Sequence, residues 1–129
     1  MEIIKIRPDK GRAKSILKMV DLLEKRIKLQ DKKSMSALIL VDYYEIIKEI
    51  STGIMHAEGF KTLSHKDLLE YVSRNLNQKE ISILDDLRVL RNRISYDGFE
   101  TDPSYLSRNE ESFRKIIIKL KEILKEKVQ

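Results

Sequence analysis

Cysteine and tryptophan are absent from this chain, and proline and glycine are rare, at two and four residues in 129. Without cysteine there are no disulfides, no Cys-ligated zinc and no thiol catalysis. With so little proline and glycine there are few points at which a helix must stop. Aromatic residues make up only 6% of the chain. Tyr43, Tyr44, Tyr71, Tyr96 and Tyr105 show no stacking-platform pattern of the kind single-strand binders use. The longest apolar run, "ALILV", has five residues, far short of a membrane span. The opening "MEIIKIRPDK" lacks the basic, apolar and small-residue zones of a secretory signal, so the expectation is a cytoplasmic protein. There is no Gly-rich phosphate loop, nucleophile elbow or His-Glu-x-x-His motif. Histidine occurs twice, as His56 and His65. His56 shares a helix face with Glu49 and Thr52, but one histidine and one carboxylate do not make a metal site. Neither metal nor cofactor is expected.

What the chain has in quantity is charge and helical period. Charged residues are 36% of the total and the net charge is +5, which favours phosphate or acidic partners and equally describes a well-solvated surface. The length suits one domain with one core. Apolar spacing predicts five helices and hence an all-α, up-and-down bundle of four to five antiparallel helices. The first covers about residues 10–30, capped by Asp9, with Ala13, Ile16, Leu17, Val20, Leu23 and Ile27 on one face. Residues 1–8 read as a short extended arm. The second covers about 35–56 with Ser34 as its cap. It is apolar almost all round, so it is central or shared between core and subunit interface. Its polar stripe is Asp42, Glu45, Glu49, Thr52 and His56. The third covers 64–75, where "SHKD" has the form of a capping box with Asp67 as the acidic residue. The fourth covers 78–96. The fifth starts at Pro103 after Asp102 and breaks near Asn109, with Phe113, Ile116, Ile117, Leu120, Leu124 and Val128 buried. Its Arg114, Lys115, Lys119, Lys121, Lys125 and Lys127 alternate with Glu122 and Glu126. They read as a solvated face or as a phosphate-backbone contact.

The stretch "VLRNRISYDGF" (89–99) holds the candidate site. At about 100° per residue, Ile83, Leu87, Leu90 and Ile94 cluster on one side of the fourth helix, with Arg91 roughly 60° from their centre. Ser95, Arg88 and Asn92 follow it round. A guanidinium at that seam is partly desolvated and needs a partner. One reading pairs Arg91 with Glu45 or Glu49 of the second helix as a clamp. The other is an anion pocket, with Arg91 and Arg88 holding phosphate while Asn92, Ser95 and Tyr96 supply hydrogen bonds. The two are compatible, since a carboxylate also orients a working arginine.

Three segments, "YYEIIKEI" (43–50), "GFKTLSHKDLLEYV" (59–72) and "DDLRVLRNRISYDGF" (85–99), resemble successive parts of small archaeal proteins of the HEPN superfamily (higher eukaryotes and prokaryotes nucleotide-binding domain). The likeness spans most of the chain from Asp9 onward. It implies a four- or five-helix bundle that dimerises, with the Arg-to-His segments of two subunits meeting at a cleft. Many members are metal-independent endoribonucleases, often toxins encoded beside a nucleotidyltransferase; others bind RNA, nucleotide or a protein partner without catalysis. The resemblance places Arg91 at the family's Arg and Asn92 at the Asn that follows it. Tyr96 occupies the His position, and Gly98 stands where a Tyr often follows. A phenol, with a pKa of about 10, is a poor general base at neutral pH. Residues five apart point about 140° apart on a regular helix, so Arg91 and Tyr96 converge only at a helix end, a bend or a subunit junction. "YDG" supplies an ending, with Gly98 as its cap. Of the two histidines, His56, at the end of the Glu45–Glu49 face, is the better placed to approach Arg91; His65 sits beside the third helix's cap. A histidine at a helix C-terminus is also favoured there by the dipole alone.

The functional expectation is a HEPN-like homodimer that binds RNA or a nucleotide with catalysis weakened or lost. The alternatives are a divergent metal-independent endoribonuclease using Arg91 with Tyr96 or His56, and a non-catalytic partner of a nucleotidyltransferase.

Overall fold

The computed structural model describes residues 2–129; Met1 of the expected arm lies outside them. Five helices form: α1 (Lys10–Lys28), α2 (Ser36–Ala57), α3 (His65–Val72), α4 (Gln78–Asp97) and α5 (Pro103–Lys127). A 3-10 turn, Ser73–Asn75, follows α3 and finishes the segment expected as one helix. The N-terminal arm pairs as strand β1 (Ile4–Lys5), antiparallel to β2 (Phe60–Lys61), with Ile4 opposite Lys61. No helix among the described residues is long and apolar enough to cross a membrane.

Local chemistry explains most of the boundaries. Asp9 accepts from Arg12 N at 2.9 Å and starts α1. Asn77 and Glu80 form a reciprocal capping box on α4. Asp102 accepts from Ser104 N at 2.9 Å, with Pro103 at the first position of α5. Gly98 ends α4 with φ +65°, and the N–H of Gly98 and of Phe99 return to Ile94 O and Arg93 O.

Three local expectations are corrected. Ser34 does not cap α2. Its hydroxyl donates to Asp31 Oδ2 at 2.8 Å, and Asp31 organises the preceding turn by accepting from Ser34 N and Lys33 N as well. Those bonds, led by the Ser34 N–H, hold the Asp31 carboxyl below its ordinary range. The "SHKD" box closes on one side only: Ser64 accepts from Asp67 N, while Asp67 Oδ2 accepts from Glu2 N at 3.1 Å and ties the arm to α3. Finally, α5 does not break at Asn109, because its side chain donates to Tyr105 O at 2.9 Å within a continuous helix.

The chain runs up and down. Asp9 N donates to His56 O and Arg26 pairs with Asp42, so α1 and α2 are antiparallel. Glu80 meets Lys119, so α4 and α5 are antiparallel too. The central pair is α2 and α5, which run in the same direction, Tyr43 against Phe113 at one level and Gly53 against Leu124 at another. A Cβ on Gly53 would lie 3.0 Å from Leu124 Cδ1, so glycine here permits the close approach. α1 and α4 flank this pair and share no substantial packing with each other. α2 is therefore central, as its apolar surplus predicts, although Leu38 remains 51% exposed.

Two buried carboxylates fasten the bundle. Asp42 accepts from Nη2 and Nε of Arg26, at 2.7 and 3.1 Å, and from Gln30 Nε2 at 2.8 Å. Glu110 accepts from the Tyr43 hydroxyl at 2.7 Å and from Lys32 at 2.8 Å, with Arg114 at 3.3 Å. Burial raises the Glu110 pKa, but Lys32, Tyr43 and Arg114 outweigh it and hold the carboxyl below its ordinary value. Burial and the same carboxylate push the Tyr43 phenol far up.

Candidate functional site

The position of α4 on the bundle decides the environment of Arg91. The apolar centre read from Ile83, Leu87, Leu90 and Ile94 is not the face α4 buries. Leu84 and Leu87 are its buried residues, while Ile83, Leu90 and Ile94 are only partly covered. Leu84, Leu87 and Arg91 fall within roughly 60° of one another on the helix, so Arg91 continues the buried line toward α2. It does not sit at the edge of that line.

There it meets no carboxylate. Glu45 and Glu49, the expected partners, both pair with Lys48, at 2.8 and 3.4 Å. The Arg91 side chain instead lies over the Tyr44 ring of α2, Cζ to centroid 5.4 Å. Tyr96 flanks it at 6.0 Å, and Arg91 Nη1 donates to Asn92 Oδ1 at 3.3 Å. Arg91 Nε is buried with no hydrogen-bond partner, the one such side-chain nitrogen or oxygen among the described residues. A buried, unpaired guanidinium N–H opposes folding, and native chains rarely keep one without a use.

The other expected site residues are distributed around it. Arg88 is half-buried, pairs with Asp85 at 3.1 Å, and reaches a groove of about 380 Å³ between α3 and α4. Asn92 is half-buried and Ser95 exposed. Tyr96 is 77% exposed, so its ring reaches solvent beside the arginine. The helix continues to Asp97, yet the Arg91 Cζ lies 6.0 Å from the centre of the Tyr96 ring.

The histidine expectation is reversed. His56 lies with Arg12 and Lys61 at the far end of α2, where burial and those two cations lower its pKa against the opposing pull of Asp9. His65, at the first turn of α3, places Nδ1 3.3 Å from the Tyr44 hydroxyl. Burial lowers the His65 pKa first, helped by the charges of Lys48 and Arg91 and opposed by Glu45. An imidazole held below its ordinary range is neutral at pH 7 and can accept a proton. Burial raises the Tyr44 phenol, while Arg91 and Arg88 pull it down and Glu45 and Tyr96 push it up; the net shift is upward, so it stays a donor. Tyr44 and His65 are the members that sequence reasoning missed. Each lies in one of the segments 43–50 and 59–72, and Arg91 lies in 85–99; the three segments meet at this cluster.

Tyr44 is 1% exposed and lies beneath Arg91, so a phosphate oxygen would reach the guanidinium from the solvent side, beside Tyr96, with a second guanidinium, Arg88, one helical turn back and the exposed His65 near by. Among the described residues no group of three or more His, Cys, Asp or Glu side chains is placed to hold a metal ion. Comparison of the chain with protein-family models, with curated proteins and with solved structures finds no match in any of the three.

Proposed function

We propose that this chain is a HEPN-like protein that binds RNA or a nucleotide as a homodimer, with catalysis weakened or lost. The observation that carries the reading is Arg91: half-buried on the buried line of α4, without a carboxylate, its only side-chain hydrogen bond running from Nη1 to Asn92. A helix clamp would have an acid opposite it; a phosphate grip keeps its donors for the ligand. Arg88, Asn92 and Ser95 extend the grip along α4, and Tyr96 stands at its solvent edge. Glu45 acts at one remove, through its field on Tyr44 and His65.

His65 favours a second reading, metal-independent RNA cleavage. In that step the ribose 2′-oxygen attacks the adjacent phosphorus and the 5′-oxygen of the next nucleotide leaves, giving a 2′,3′-cyclic phosphate. The 2′-hydroxyl proton goes to the His65 imidazole, the leaving 5′-oxygen takes a proton from water that the imidazolium then replaces, and Arg91 balances the charge on the phosphorane. His65 supplies the base that Tyr96 lacks.

One experiment separates the readings. Single-stranded RNA is incubated with micromolar protein in EDTA, beside Arg91→Ala, His65→Ala and Tyr96→Phe, each checked for intact folding. Binding by the wild type with uncut RNA, lost in Arg91→Ala, supports the first reading. Cyclic-phosphate ends that vanish in His65→Ala support the second. RNA neither bound nor cut contradicts both.

A further inference from the structure

A second polar cavity, of about 430 Å³, opens between the start of α1, the second half of α2 and the connection from β2 to α3. Arg12, Lys48 and Lys61 line it with His56 and His65, against one carboxylate, Glu49. Lys48 is occupied by Glu45 and Glu49. Arg12 and Lys61 form no ion pair, and their side chains make no hydrogen bond, with any of the described residues. The cavity is thus a concave surface with free cations on two sides and two imidazoles on its wall. Its size admits a phosphate with its sugar. His65 belongs to both places: one side lines this cavity and its Nδ1 faces Tyr44, beneath Arg91.

We propose that this cavity is a phosphate-binding site. Resting on the RNA reading above, it takes a phosphate neighbouring the one at Arg91, so that the ligand is a single-stranded oligonucleotide and not a mononucleotide. The strand would cross His65, with Arg91 and Arg88 on one phosphate and Arg12 and Lys61 on another. The electrostatics agree. On His56 act Arg12 from α1, Asp9 at its cap and Lys61 from β2. On His65 act Lys48 and Glu45 from α2 and Arg91 from α4. The cations prevail in both sets, and an anion in the cavity would reverse that balance and raise both imidazole pKa values.

The test compares an eight-nucleotide oligouridylate with uridine monophosphate, on wild type and on the double variant Arg12→Ala/Lys61→Ala. Both substitutions remove exposed side chains without partners, and circular dichroism checks the fold. The octamer is expected to bind the double variant about tenfold more weakly, the scale of a lost charged contact, with a shallower salt dependence. Uridine monophosphate is expected to keep its binding at Arg91 in the double variant and to lose only what the cavity holds. Equal octamer affinity in wild type and double variant, with binding still lost in Arg91→Ala, would overturn the cavity and leave the RNA reading standing. If the wild type binds no RNA, that reading fails and inorganic phosphate decides the cavity. Ring-proton NMR titration should show the His56 pKa rising with phosphate in the wild type and not in the double variant; no rise in the wild type would overturn the proposal.

Discussion

A guanidinium on the buried line of a helix ordinarily faces a carboxylate, because a charge in low dielectric without one is costly. Arg91 faces two tyrosine rings and an amide. Arg91→Ala therefore breaks no ion pair, and its stability change should stay within about 1 kcal/mol in thermal melts. A clamp would lose more. Glu110 is the contrasting case, at 7% exposed. Glu110→Ala leaves the buried Tyr43 hydroxyl without its acceptor and should lower stability by about 1–3 kcal/mol in urea unfolding. Glu110→Gln keeps an acceptor and should recover much of that, while Lys32 and Arg114, more than half exposed, turn to water. The two histidines set the pH response. Both have folded pKa values below their ordinary 6.5, so in that window the unfolded chain binds more protons. Their contribution is full above about pH 6.5 and is lost as pH falls, as urea midpoints measured at successive pH values will show. Glu58 and Glu110, also lowered, add a further loss below their ordinary 4.5.

At the scale of the element, glycine makes two testable demands. Gly98 ends α4 in the left-handed region with open space around it, so Gly98→Ala should cost about 1 kcal/mol through backbone strain alone. Gly53→Ala pushes a methyl into Leu124 and should cost about 1–3 kcal/mol by forcing α2 and α5 apart. Helix existence was legible because period 3.6 with few breakers admits little else, and the caps Asp9 and Asp102 announced their helices. The orientation of α4 was not legible. Ile83, Leu90 and Ile94 draw the apolar centre to one side, whereas the bundle buries Leu84 and Leu87 and carries Arg91 along with them. No hydrophobic vector can anticipate an arginine on the buried line. His65 was overlooked for a related reason: beside a helix cap it reads as surface, and only the crossing of α3 over α2 brings it to Tyr44. Ser34 was misassigned because Asp31, three residues earlier, takes its hydroxyl as a donor and so turns it away from the N–H groups of α2.

The whole molecule carries a net charge of +5. The α3 side of the bundle brings two groups of uncommitted cations near one histidine, Arg91 on one side and Arg12 with Lys61 on the other. A phosphate polymer binding there releases counterions, so its affinity must fall steeply with salt. Light scattering on size-separated protein tests the proposed homodimer, and a strict monomer at all concentrations would contradict it. The most direct measurement is fluorescence anisotropy of a labelled single-stranded RNA in EDTA, titrated with wild type and with Arg91→Ala at low and moderate salt. Binding by the wild type that weakens with salt, and at least about tenfold weaker binding by a folded Arg91→Ala, is the predicted result. Equal affinity of the two proteins for RNA, or no binding by either, would contradict a phosphate grip at Arg91.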